Sequence, residues 1–442
     1  MTNCNSSNLK LPACRRRQID VDFCGGEITS NGGVLLLRQA DRTSGLIASV
    51  SSQLSEGRQR GKINHRIIHM LRQRVFAIAL GYEDVNDHAG LRHDLALQTA
   101  AERDQVLASP STLSRFENAA DRNWAWRIHE VMVDNFITSH SRPPKELILD
   151  FDATDDRVHG KQEGRFFHGY YDHYCFLPLY VFCGEQLLVS YLRPSKIDGA
   201  RHSWAILALL VKKLRQAWPN VNIILRADSG FCRHKMLGWC ERKGVGYIIG
   251  LARNKRLNSL AAHWMDSAKR GFEASGDKQR LFGEFSYAAG SWTRKRRVIA
   301  RIEHMEKGTN PRYIVTNLEG PNIGDNGQDL YETLYCARGD MENRIKEQQL
   351  DLFADRTSCH KWWPNQFRLL LSSLAYTLLE MVRRIALKGT GMAQAQCGTI
   401  RLKLLKIGAV IVRNTRRVRF MMSSACPDQA LFCLAATRLK PG

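Results

Sequence analysis

The chain's 442 residues are too many for one small core, and an apolar content of 44% suits packed domains rather than a disordered polymer. Its net charge of +22 draws it to polyanions, nucleic acid first. A basic protein with no nucleic-acid role is the plainer alternative, and an anionic membrane is a weaker rival because no basic amphipathic anchor stands out.

The longest apolar stretch, Phe367 to Leu387, is interrupted by Ser372, Ser373, Glu380, Arg383 and Arg384, so it reads as a buried helix and not a membrane span. The N-terminus, MTNCNSSNLKLPACRRRQ, has no apolar signal core, and no export signal is expected. Twelve cysteines include no Cys-x-x-Cys pair, which suggests reduced thiols in the cytosol and argues against cysteine-bound zinc.

In chain order, residues 1–60 look irregular, with short apolar runs such as Gly33 to Leu37. From about Lys62 to His140 apolar residues recur three and four apart, a helical period. Within it, LASPSTLSRFEN reads as a helix start with Ser109 as N-cap and Pro110 in the first turn. Ser111, Thr112, Ser114 and Arg115 then either face DNA, as in a helix-turn-helix, or belong to an ordinary Ser-Pro helix.

Pro143-Pro144 ends that pattern. ELILDFDAT, HYCFLPLYVFCG and QLLVSYLRPS read as strands, SWAILALLVKKLRQAWP as a helix, and NVNIILRADSGF as a strand. KMLGWCERKG then reads as a helix stopped by Gly244, and VGYIIGLAR as a strand. This is an α/β order. Residues 253–332 break the rhythm with three β-segments and look like a β-rich insertion. Regular α-helix is expected from about Tyr331 to Leu352 and over Pro364–Leu387. The tail from Thr399 is basic, with VIVRNTRRVRF as a strand.

Three acids stand out by context. Asp152 ends a strand whose alternation puts Ile148, Asp150 and Asp152 on one face. A carboxylate there is costly unless compensated, and a hard divalent cation compensates it directly. Equally, Asp150 or Asp152 could cap the following turn. Asp228 also ends an apolar strand, before Ser-Gly, and sites in α/β sheets gather at such strand ends. An Asp-Ser-Gly turn is the simpler reading. In YCARGDMENRIKEQQ, helical spacing aligns Tyr335, Arg338, Glu342 and Lys346 on one stripe, which could also be a solvated salt-bridge face.

Taken together, LDFDATDD, LRADSGF and YCARGDMENRIKE resemble the DDE transposases of bacterial insertion sequences. More narrowly they resemble the branch with a Tyr-Arg-Glu-Lys signature, and within it transposase DDE domain group 1. The likeness runs over roughly residues 15–435. It implies an RNase H-like core with a β insertion before the glutamate, preceded by a mostly helical DNA-binding region. The expected divisions are a DNA-end-binding 1–142, a core in two parts (143–252 and 333–390), the insertion 253–332, and a basic segment 391–442.

The resemblance makes Asp152, Asp228 and Glu342 the catalytic and metal-holding acids, Asp152 fitting the family's Asp-x-Thr better than Asp150. Two Mg²⁺ ions are implied, with Mn²⁺ as a substitute. The implied activity is binding of the element's terminal inverted repeats, DNA cleavage and strand transfer, in cut-and-paste transposition by a homodimer on DNA in the bacterial cytoplasm. A nuclease of the same fold and an inactive DNA-binding protein are the alternatives.

Tyr335, Arg338 and Lys346 would contact phosphate, although the branch's lysine position holds Gln349 and Lys346 lies three residues earlier. Trp292, beside Arg294 to Arg297, either stacks on an unpaired base or fills a β core. Arg416 and Arg417 belong to a basic tail, with Arg401, Lys403, Lys406, Arg413 and Arg419, suited to phosphates or to a solvated strand face. His65 and His69 lack the glutamate of a zinc-protease motif, and no phosphate-binding Gly-rich loop or Gly-x-Ser-x-Gly elbow occurs.

Overall fold

Continuous apolar runs, buried on both faces, build the central strands of the main sheet. A computed structural model describes residues 9–318 and 327–440. Residues 1–8, part of the stretch read for an export signal, 319–326 of the expected insertion, and 441–442 lie outside the described residues. The chain divides into two units, residues 120–373 and residues 1–119 with 374–442. No helix among the described residues is long and apolar enough to cross a membrane.

The unit of residues 120–373 is organised by eight strands: β1 (Glu146–Ala153), β2 (Leu179–Cys183), β3 (Gln186–Tyr191), β4 (Asn222–Ala227), β5 (Gly246–Leu251), β6 (Gln279–Tyr287), β7 (Arg296–Met305) and β8 (Gly308–Thr316). They form one mixed sheet in the order β6-β7-β8-β5-β4-β1-β2-β3. β1, β4 and β5 are parallel, whereas β2 pairs antiparallel with β1 on one side and with β3 on the other. The five strands β3-β2-β1-β4-β5 make up the part expected as an RNase H-like core.

The segment read as an insertion extends the same sheet beyond β5 through β8. It also contains two helices absent from the expected β-segments, Lys255–Leu260 and Ala262–Ser275, each of which buries a single residue, Leu257 and the small Ala268, and so leaves little apolar signal.

Each sheet face has its own cover. Leu147, Leu149, Phe151, Ile223, Leu225, Ile249 and Tyr247 pack with the helices Ser203–Ala217 and His234–Arg242. The opposite face presents Ile148, Ile224, Ile248, Ile299 and Ile314 to Leu330, Tyr331, Leu334 and Tyr335. Burying each such side chain is worth roughly 1.5–3 kcal/mol, enough to hold the segment after residue 327 flat across this face. HYCFLPLYVFCG, expected as one strand, is two: His173–Phe176 and β2, parted at Leu177-Pro178.

In the other unit, residues 9–60 are not irregular: they hold a hairpin, Leu9–Cys14 with Arg17–Val21, and helices Val34–Ser44 and Leu46–Gln53. The run Val34 to Leu37 hid the helical period because its apolar residues are contiguous. Ser109 does cap Pro110–Asn118, accepting from the Thr112 N–H. The tail is a hairpin rather than one strand: Ala409–Arg413 pairs with Val418–Met422, and Asn414 Oδ1 closes the turn by accepting from the backbone of Arg416 and Arg417. Ala409 and Val410 also pair with Thr29 and Ile28.

Candidate active site

Register brings the two aspartates together. Arg226 of β4 lies opposite Asp150 of β1, and Ala227 opposite Phe151, so Asp228 and Asp152 are neighbours at the carboxyl ends of two parallel strands. Asp228 caps the turn that follows, its Oδ1 accepting from the Gly230 N–H at 2.9 Å.

The glutamate arrives from the segment on the isoleucine face. That segment is not the regular α-helix expected: wide π-type turns at Leu330–Tyr335 and Glu347–Asp351 and a tight turn at Cys336–Arg338 flank the α-helix Gly339–Lys346. Such irregular turns recur at functional sites because they re-aim side chains without unwinding a helix. Here Tyr331 and Tyr335 stay on the sheet while Arg338 reaches the acids.

Arg338 bridges them, donating from Nη1 to Asp152 Oδ2 at 3.1 Å and from Nη2 to Glu342 Oε1 at 2.5 Å. Burial pushes Asp152 up to about 6; Arg338 opposes this, and the charges of Asp228 and Glu342 add to it. Asp152 is thus within electrostatic reach of both other acids. As the side chains lie, no three metal-ligating groups surround one point among the described residues.

Asp150 is held otherwise. It is buried, and both its oxygens take a fork from Arg226, Nε to Oδ1 at 2.5 Å and Nη2 to Oδ2 at 2.7 Å. Arg226 also donates to the Leu334 carbonyl at 2.6 Å, clamping the glutamate segment to β4.

Tyr335 lies over Gly250 of β5, where a Cβ would stand 2.7 Å from its hydroxyl and 2.7 Å from the Ser229 nitrogen. Burial raises its phenol above the ordinary value, with Arg338 opposing and Asp228 adding. Ser229, Gly250, Arg253, Arg312 and Tyr335 line a cavity of about 400 Å³ beside Asp228. Sequence reasoning missed Arg226, Gly250, Arg253 and Arg312; the only signal was an arginine two residues before Asp228 on a buried strand.

Lys346 is exposed one turn past Glu342. Gln349 turns inward, donating at 3.0 Å to the Asp155 carbonyl and at 3.0 Å to Asp156 Oδ1. Trp292 is half-buried against Tyr287, ring centroids 5.5 Å apart, with the Arg296 guanidinium 5.0 Å from its ring. In the other unit, Arg115 is exposed and donates to Thr112 Oγ1, and Arg416 and Arg417 are exposed at the hairpin turn.

The family model for transposase DDE domain group 1 matches residues 11–441. The chain belongs to this transposase family. No curated protein sequence matches it. Among solved structures it is similar to the piggyBac transposase synaptic complex with hairpin DNA, at 11% identity and a TM-score of 0.44, over 84% of this chain and 78% of that one.

Proposed function

We propose that this transposase cuts DNA at the ends of its element and joins them to a target, with Asp152, Asp228 and Glu342 as the catalytic acids. The observation that carries the reading is the junction of two strand-end aspartates with a helical glutamate, Arg338 spanning Asp152 and Glu342. Asp152 takes the first position because Asp150 has both oxygens engaged by Arg226.

The donor set suits Mg²⁺ or Mn²⁺, since carboxylate oxygens are what hard cations prefer. Arg338 already places positive charge between two of the acids. When bound, two such ions held by Asp152, Asp228 and Glu342 would supply charge neutralisation and Lewis acidity for in-line phosphoryl transfer. The chain's own groups do the rest. Water oxygen attacks the scissile phosphorus and the 3′ oxygen departs; the freed 3′-OH then attacks a target phosphodiester, expelling its 3′ oxygen. One geometry serves both displacements because each needs mainly positioning and charge neutralisation.

Tyr335 and Arg338, with Lys346 beyond them, would hold a phosphate of the element end, Arg338 by a two-pronged contact. Arg253 and Arg312 would guide the strand past Asp228. Arg115, Arg416, Arg417 and Trp292 remain proposed DNA contacts, and the +22 charge supports a DNA partner.

The test is incubation with Mg²⁺ or Mn²⁺ and DNA carrying the element's terminal inverted repeats. Cleavage at the ends followed by joining is expected. Hydrolysis without end preference or joining would make it a nuclease, and binding without cleavage under either metal would overturn the enzymatic reading.

A further inference from the structure

Between Asp152 and β2 the chain leaves the sheet to form a small three-stranded sheet. Phe166–His168 pairs with His173–Phe176, and Asp156–Arg157 pairs with the other side of the latter. Its hairpin turn runs through Gly169, Tyr170, Tyr171 and Asp172. The element is anchored at its base: the His173 ring sits 2.7 Å from Asp155 Oδ2, and Ser195 Oγ donates to the Phe166 carbonyl at 2.8 Å.

The tip is unusually aromatic for a surface element. Tyr170 is 86% exposed, Phe167 53% and Tyr174 46%, and none of these rings belongs to a core cluster of the unit. Phe167 lies opposite Tyr174 in register, so both project from one face, with centroids 5.7 Å apart. Cations lie on ring faces: the Arg165 guanidinium 4.4 Å from the Tyr174 centroid and Lys196 Nζ 4.3 Å from that of Phe166.

We infer that this hairpin is a stacking platform for unpaired bases of the DNA strand entering the acidic site, an inference that rests on the DNA-cutting reading above. Leaving large rings in water is costly, and their flat faces suit nucleobases, which every sequence offers. Arg165, on the Tyr174 side, matches the phosphates between those bases, whereas Lys196 over Phe166 lies on the opposite face of the strand. Position favours DNA rather than a protein partner: the small sheet begins four residues after Asp152 and its aromatic hairpin fourteen, and the charges of Asp155 and Asp152 reach Tyr171, whose ring lies 5.0 Å from that of Tyr170.

The experiment compares two probes with the full-length protein in EDTA: a duplex with a 3′ overhang carrying 2-aminopurine, and its blunt counterpart. Stacking should quench the overhang fluorescence, and the overhang should bind about tenfold or more tightly than the blunt duplex. Tyr170→Ala and Phe167→Ala should lose quenching and preference, and Tyr170→Phe should keep both. Equal affinity of the wild type for the two probes would overturn the platform. So would wild-type behaviour of both alanine variants, and if the wild type still cuts element ends the catalytic reading survives. A wild type that binds neither probe would overturn the platform too, and the catalytic reading is then decided by cleavage of element ends.

Discussion

Asp150 and Asp152 lie two residues apart on one strand face and are held in different ways. Asp150 neutralises a buried arginine through two hydrogen bonds, so removing its charge strands Arg226. Asp152 gains only partial relief from Arg338 and is repelled by Asp228 and Glu342. Asp150→Asn should therefore destabilise the protein by roughly 3–5 kcal/mol, the usual cost of breaking a buried ion pair. Asp152→Asn should do the reverse, in a pH-dependent way. Its folded-state carboxyl titrates near 6 rather than the ordinary 3.8, so the folded form binds that proton more tightly than the unfolded chain does. Its contribution to stability is fully present below about pH 4 and is lost as pH rises through about 6. In urea denaturation without metal, Asp152→Asn should thus gain on wild type between those limits, by roughly 3 kcal/mol at most. A difference that does not change with pH would contradict this picture of Asp152. The acids themselves were visible in the sequence as strand-end charges. Their relief was not, because Arg338 was read as a phosphate contact and Arg226 was passed over among apolar neighbours.

At the scale of elements, the parallel strands were legible because their runs of Ile, Leu and Val are bounded by clear turn residues. The glutamate segment was legible only as a helix. Its wide and tight turns follow from the isoleucine face it covers and from Arg226 donating to the Leu334 carbonyl, contacts that no local sequence pattern records. Gly250 is the hinge of this arrangement. A methyl group there meets the Ser229 backbone as well as the Tyr335 hydroxyl, and the backbone cannot yield cheaply. Gly250→Ala should displace the turn after Asp228 and cut cleavage by on the order of 100-fold, the effect of about 1 Å of misplacement. Adding Tyr335→Phe should restore little of it, because the clash with Ser229 persists. Single-turnover cleavage rates would read both, and an unaltered Gly250→Ala rate would remove this turn from the mechanism.

For the whole molecule, the least legible feature is that both ends of the chain build one unit. Nothing in residues 28–33 announces a partner some 375 residues later, yet Gly32 and Gly33 donate to the Ile407 and Leu405 carbonyls at 2.9 and 3.1 Å, and Ile28–Thr29 pairs with the strand Ala409–Arg413. At Gly33 an added Cβ would lie 1.8 Å from the Leu404 oxygen. Deleting residues 399–442 should therefore destabilise the N-terminal helices as well as remove basic residues, and limited proteolysis should then cut within residues 28–53. Protection of that region in the truncated chain would show that the N-terminal part folds alone.

Whether Asp152, Asp228 and Glu342 act as one site on DNA is read most directly from Mn²⁺-dependent cleavage of terminal-repeat DNA by Asp152→Asn, Asp228→Asn and Glu342→Gln, measured beside binding of the same DNA. Each variant should bind the DNA about as well as wild type and cut it at least about 1,000-fold more slowly, since members of one catalytic unit fail together. Wild-type cleavage by any of the three would contradict the account at that residue, and wild-type cleavage by all three would contradict it altogether.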